Sequence, residues 1–116
     1  PISKLAQAMD DTIADVEAHG WQAPIVGHVG DGNYHVLFLF DRTNAADLAL
    51  AKDLTARMNM RALELGGTVT GEHGIGIGKM KYLEAEHGEA VNVMADIKRA
   101  FDPTGIMNPG KIVNVN

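Results

Sequence analysis

Five histidines and no cysteine occur in this 116-residue chain, so any metal or acid–base chemistry must rest on imidazoles and carboxylates. Three of those five histidines fall in two glycine-rich motifs. His28 and His35 flank Gly30-Asp31-Gly32-Asn33, and His73 follows Glu72 in Thr70-Gly71-Glu72-His73-Gly74. If Asp31-Gly32 forms a two-residue type I′ turn, Gly30 pairs with Asn33, Val29 with Tyr34 and His28 with His35. A four-residue turn is expected to keep that pairing; a bulge would destroy it. Directly opposed residues carry Cβ atoms about 4.5–5.5 Å apart on one face of the sheet. From there two imidazoles can converge on one ion at about 2 Å. His28 and His35 are therefore a candidate two-histidine metal site; the alternatives are that they are half-buried strand residues or that one caps the loop.

Glu72 can complete a two-histidine, one-carboxylate set with an open position, and a neutral His73 beside it can take a proton. Adjacent residues of an extended chain point opposite ways, so the two are expected to serve different roles. Alone, they also read as solvated loop residues. Two histidines and a glutamate could equally activate water, which makes a metal-dependent hydrolase one rival reading. A non-enzymatic metal-binding or assembly module, its glycine loop merely a tight connection, is another. A phosphate-binding P-loop is excluded, because His73 stands where it needs glycine and Met80 where it needs serine or threonine. The run Gly74-Ile75-Gly76-Ile77-Gly78 ends on Lys79 and so lacks the last glycine of a dinucleotide fingerprint. His19 and His87, each near a glycine at a helix end, read as structural.

These residues need a scaffold to bring them together. Ile2, Leu5, Met9, Ile13 and Val16 recur at helical spacing, and Gly20 can end that helix in a left-handed cap. Ile25–Val29 and Tyr34–Phe40 are β-branched and aromatic runs that predict a hairpin. Asn44 is the expected N-cap of a second helix, with Leu50, Leu54, Met58, Ala62 and Leu65 on one face and Gly66-Gly67 as its stop. Thr68-Val69-Thr70 reads as a short strand leading into the glycine loop. A short helix near Tyr82-Leu83 precedes a longer one carrying Val91, Met94, Ile97 and Phe101, which Pro103 should end. The expected fold class is α+β: an antiparallel hairpin, part of a larger antiparallel sheet, packed with about four helices.

Composition limits the partners. The chain is 46% hydrophobic with a net charge of −5 and no basic stripe, so nucleic acid is not an expected partner. No apolar run approaches the roughly 18 residues of a membrane span. The opening Pro1-Ile2-Ser3-Lys4 has neither an initiator methionine nor a signal core, which suggests an internal segment of a longer protein.

Three ordered motifs cover most of the chain: Gly27-His28-Val29-Gly30-Asp31-Gly32-Asn33-Tyr34-His35, Thr70-Gly71-Glu72-His73-Gly74-Ile75-Gly76, and residues 102–111, Asp-Pro-Thr-Gly-Ile-Met-Asn-Pro-Gly-Lys. Together they resemble the C-terminal part of the FAD-linked oxidases of the vanillyl-alcohol-oxidase type. These include cytochrome-linked D-lactate dehydrogenases, the glycolate oxidase flavin subunit and D-2-hydroxyglutarate dehydrogenases. The resemblance implies that residues 1–116 are the C-terminal portion of a substrate or cap domain, with the FAD-binding domain absent. By the same resemblance the metal ligands are His28, His35 and Glu72, the proton-abstracting residue is His73, and Asn108 is a candidate contact to flavin or substrate.

The implied reaction is oxidation of a D-2-hydroxy acid. A divalent ion, zinc or manganese, favours the alkoxide, His73 takes the hydroxyl proton, and hydride passes to FAD. Some hydroxyglutarate-type members carry Asn two residues after the second histidine, and glycolate-type members often carry Pro one residue after it. Here those positions are Leu37 and Val36. Tyr34 and the run Gly78-Lys79-Met80-Lys81-Tyr82-Leu83-Glu84 look more like the D-lactate branch. The family further implies a cytochrome, quinone or electron-transfer flavoprotein as acceptor. It implies a cytoplasmic protein, peripheral to the inner membrane in a bacterium, or a mitochondrial one in a eukaryote. Alone, the chain is expected to be inactive, with open strand edges that could pair in a homo-oligomer.

Overall fold

The computed structural model describes residues 1–115. The chain divides into two compact units, Pro1–Gly67 and Thr68–Asn116. The architecture is α+β, with four helices and one two-stranded antiparallel sheet among the described residues.

In the first unit α1 spans Ile2–Glu17 and α2 spans Ala45–Glu64, and the two pack together. The buried stripe of α1 is Ala8, Thr12 and Val16. It is rotated from the expected face, leaving Ile2 and Ile13 exposed. The rotation follows from Thr12, whose hydroxyl donates to the Ala8 carbonyl at 2.7 Å and also accepts from Arg61 of α2 at 3.0 Å. With its hydrogen bonds met, that polar side chain can be buried at little cost. Asn44 caps α2 as expected, its side-chain oxygen accepting from the N–H groups of Ala46 and Asp47. At the other end Gly66 adopts a positive φ, its N–H reaching Leu63 O at 2.9 Å while Gly67 N–H reaches Ala62 O at 2.7 Å. This is the paired bonding of a Schellman motif.

Between these helices, β1 (Ile25–His28) pairs antiparallel with β2 (Asn33–Val36). The expected hairpin is present, but its turn and register differ. Val29–Asp31 form a right-handed 3₁₀ turn and only Gly32 is left-handed, at φ 71°. A type I′ turn needs positive φ at both central residues, and Asp31 does not supply it. The loop is therefore four residues long, and the partners are His28 with Asn33, Gly27 with Tyr34, Val26 with His35 and Ile25 with Val36. β2 also ends earlier than expected. After Leu37 N–H donates to Pro24 O at 2.9 Å, the preceding chain offers no further ladder, and Phe38 and Phe40 instead pack on Trp21. The Phe40 ring stacks on the indole at 5.5 Å, nearly parallel.

In the second unit a 3₁₀ turn, Met80–Tyr82, leads into α3 (Leu83–His87), followed by α4 (Ala90–Phe101). Its core is Leu83, Ala95 and Val113, with Ile75, Val91, Met94 and Val115 packed around them. Thr68–Thr70 is not a strand. β-propensity alone does not make one without a partner, and Val69 N–H donates to the Glu86 carboxylate at 3.2 Å instead.

Candidate functional site

His28 ends β1 and His35 sits inside β2. Their register makes them diagonal neighbours rather than opposed partners, because His28 faces Asn33, two residues before His35. A shift of two residues keeps both on one face, where a shift of one would have separated them. The two rings meet edge to face with centroids 6.4 Å apart. His28 is exposed and His35 half-buried.

This arrangement depends on Gly27. A Cβ there would lie 2.4 Å from Asn33 O and 2.7 Å from Tyr34 Cα, both backbone atoms that cannot turn away. Tyr34, opposite Gly27, brings its hydroxyl within 3.4 Å of Thr12 Oγ1 on α1. Thr12 in turn belongs to a network in which Arg61 donates to Asp15 at 3.3 Å and Arg57 pairs with Asp15 at 2.9 Å. The hairpin is thus anchored to a polar cluster between α1 and α2. His19 also serves structure, its Nδ1 lying 2.8 Å from the Asp15 carbonyl oxygen.

In the second unit Glu72 and His73 ride on the glycine loop. The chain turns here rather than extending, with Gly71 and Gly74 both at positive φ, so the two side chains converge instead of pointing apart. Glu72 Oε1 lies 3.2 Å from His73 Nε2, and the imidazole is 75% exposed. The loop is closed at its base by Lys79, whose ammonium donates to Thr70 O at 3.3 Å. Ile112 N–H fastens the C-terminal segment to it through Gly76 O at 2.9 Å.

Asn108 lies in the C-terminal turn and adopts φ 47°, a left-handed conformation that asparagine takes more readily than most residues other than glycine. The turn before it is organised by Asp102, a residue that periodicity marks only as the end of α4. Buried Asp102 accepts from Ile106 N–H at 3.0 Å and Met107 N–H at 2.9 Å and pairs with Lys98. The hydrogen bond from Lys98, helped by those two N–H groups, holds its carboxyl below the usual value against the opposing effect of burial. Lysine four residues before an Asp-Pro helix end was the available signal.

Residues 1–112 match the family described as FAD linked oxidases, C-terminal domain. The chain belongs to that family. It is 43% identical over 116 residues to a probable mitochondrial D-lactate dehydrogenase of Danio rerio, covering 99% of this chain and 23% of that protein. With the mitochondrial D-lactate dehydrogenase [cytochrome] of Arabidopsis thaliana it shares 42% identity over 114 residues, 97% of this chain and 20% of that protein. The glycolate oxidase subunit GlcD of Bacillus subtilis is 38% identical over 112 residues, 96% of this chain and 23% of that protein. The chain spans about a fifth of the length of the curated relatives it matches. This FAD-linked oxidase domain has no helix among its described residues long and apolar enough to cross a membrane.

Proposed function

We propose that the chain is the C-terminal domain of an FAD-dependent D-2-hydroxy acid dehydrogenase that oxidises D-lactate to pyruvate. In this reading His28, His35 and Glu72 are the ligands of a divalent ion, His73 is the base, and Asn108 contacts flavin or substrate. The donor set fits such an ion chemically: two imidazoles and a carboxylate suit zinc or manganese and leave positions for substrate oxygens. When bound, the ion supplies Lewis acidity at the hydroxyl oxygen and the flavin supplies the hydride acceptor. The chain's own part is the base and its positioning. His73, donating its Nε2 proton to Glu72, presents Nδ1 as the lone pair that receives the substrate's hydroxyl proton. Glu72 thereby fixes the tautomer and orientation of the base, and the closed glycine loop limits the freedom of both. Asn108 offers a carboxamide that can donate and accept together.

The observation that carries D-lactate over other hydroxy acids is the higher identity to the mitochondrial D-lactate dehydrogenases over nearly the whole chain, 43% and 42% against 38% for the glycolate oxidase subunit. Tyr34 and the 78–84 run support the same choice. The names of the relatives support a cytochrome as acceptor and, in a eukaryote, a mitochondrial setting. The test is the full-length flavoprotein assayed with D-lactate, L-lactate, glycolate and D-2-hydroxyglutarate and a dye acceptor. The expected result is a kcat/KM for D-lactate at least about tenfold above the others, equivalent to one good differential contact. Preference for glycolate would move the protein to the neighbouring branch. Zinc-dependent ester hydrolysis by the chain alone would replace the reading with a hydrolase.

A further inference from the structure

Glu72 and His73 sit in a turn bounded by Gly71 and Gly74, both at positive φ, with Gly76 and Gly78 close behind. Glycine gives up more conformational freedom on folding than any other residue, so a segment of this composition does not hold two side chains in place by itself. Something must fasten it. Packing contributes little at His73, whose imidazole is 75% exposed.

Lys79 lies across both ends of that turn. Its N–H donates to Ile75 O at 3.3 Å, the first carbonyl after Gly74. Its ammonium donates to Thr70 O at 3.3 Å, the last carbonyl before Gly71. One residue thus bonds the chain immediately before and immediately after Gly71-Glu72-His73-Gly74. The Ile75 side chain packs on the core of Leu83, Ala95 and Val113, which gives the far end of the turn a fixed footing. The near end depends on the ammonium, a charged donor and so a stronger one than a neutral group. Ile112 adds a second fastening. It adopts φ 66°, an outlier for a β-branched side chain, while its N–H donates to Gly76 O at 2.9 Å. Strain of that kind persists only where the surroundings over-determine it, and it clusters at functional sites.

We infer that Lys79 is a positioning residue for the base: its ammonium, bound to Thr70 O, keeps the Glu72-His73 turn closed so that His73 meets the substrate in one orientation. This rests on the reading of His73 as the proton acceptor. A direct grip of the same ammonium on the substrate's carboxylate is the competing role. Kinetics separate the two, because losing a binding contact raises KM, whereas losing the orientation of the base lowers the rate of chemistry at saturation.

The test uses the full-length flavoprotein and two readouts, flavin reduction by saturating D-lactate in anaerobic stopped flow and amide hydrogen exchange of residues 70–76 followed by mass spectrometry. Lys79→Met should slow flavin reduction by about a hundredfold, the scale of a small misplacement of a reacting group. KM should change little, and the amides of the turn should exchange faster. Lys79→Arg, which keeps a cationic donor, should recover most of the rate and the protection. Lys81→Met removes the same charge from an exposed lysine lying over the Tyr82 ring and should leave both readouts parental. If Lys79→Met does not fold, Lys79→Ala, which removes the ammonium without adding an apolar surface group, is read the same way. A parental rate of flavin reduction in the folded variant would overturn the inference, and so would a loss confined to KM. A parent protein that reduces no flavin with any of the hydroxy acids defeats the proposed function instead, and hydrogen exchange alone then decides whether Lys79 holds the turn.

Discussion

His28 and His35 lie diagonally across the hairpin, His28 opposite Asn33 and His35 opposite Val26, with their rings 6.4 Å apart edge to face. The pair survives the change of register because a strand's side chains alternate with period two. Two imidazoles on one face can supply two ligands to a metal, and Glu72 is the proposed third. Each of His28→Ala, His35→Ala and Glu72→Gln should therefore weaken zinc or manganese binding, measured by titration calorimetry, by at least about a hundredfold, since even outer-shell losses reach that. Parental affinity in the His28→Ala, His35→Ala double variant would leave the histidines as ordinary strand residues.

Gly27 is the position on which that geometry turns. An added Cβ meets backbone at 2.4 Å and 2.7 Å, so β1 and β2 must part to admit it. Gly27→Ala should destabilise the first unit by about 1–3 kcal/mol, the usual cost of overpacking, and should also separate the histidine rings. Urea unfolding and metal titration on the same variant test the two consequences, and an unchanged midpoint would refute the close approach.

A similar argument applies to Arg61, which bridges Thr12 and Asp15 from α2 with side chains 20% and 14% exposed at the ion pair. Arg61→Met keeps much of the stem but leaves buried Thr12 without that donor. The expected cost is about 1–3 kcal/mol, typical of a part-buried polar group losing its partner. Because the cluster is largely shielded, the loss should persist in high salt. A double-mutant cycle with Asp15→Asn would show the coupling, and additivity would show its absence.

These three sites show what the sequence could and could not convey. Helix ends were legible because their chemistry is local: Asn44 caps over two to three residues, and Gly66-Gly67 closes over five. The hairpin was legible from its runs, but its register depended on the sign of φ at Asp31, which aspartate permits either way. Thr68–Thr70 had strand propensity but no partner strand, so Val69 bonded Glu86 instead. Periodicity found α1 and α4 while misplacing part of their inner faces, since it assumes that every apolar residue turns inward. Ile2, Ile97 and Phe101 do not. The Glu72–His73 contact depends on the positive φ of Gly71 and Gly74, which turns a segment whose residue types alone also permit an extended chain. Asp102 was hidden because its partners become adjacent only once the turn has formed.

Asp102 gives the pH dependence of that turn. Its carboxyl is held below the ordinary 3.8, first by the hydrogen bond from Lys98 and then by the N–H groups of Met107 and Ile106. A depressed folded value means the stabilisation is fully present above the unfolded pKa of about 3.9 and is lost as pH falls through the folded pKa. The turn should therefore stay ordered down to about pH 4 and loosen below it. The side-chain carboxyl resonance of Asp102 and the amide shifts of Ile106 and Met107 should move together in that range. Asp102→Asn keeps the shape but turns one acceptor into a donor facing donors. In that variant the two amides should already have their loosened shifts at neutral pH and show no acid transition of their own. Amides that titrate identically in parent and variant would place the ordering of the turn elsewhere.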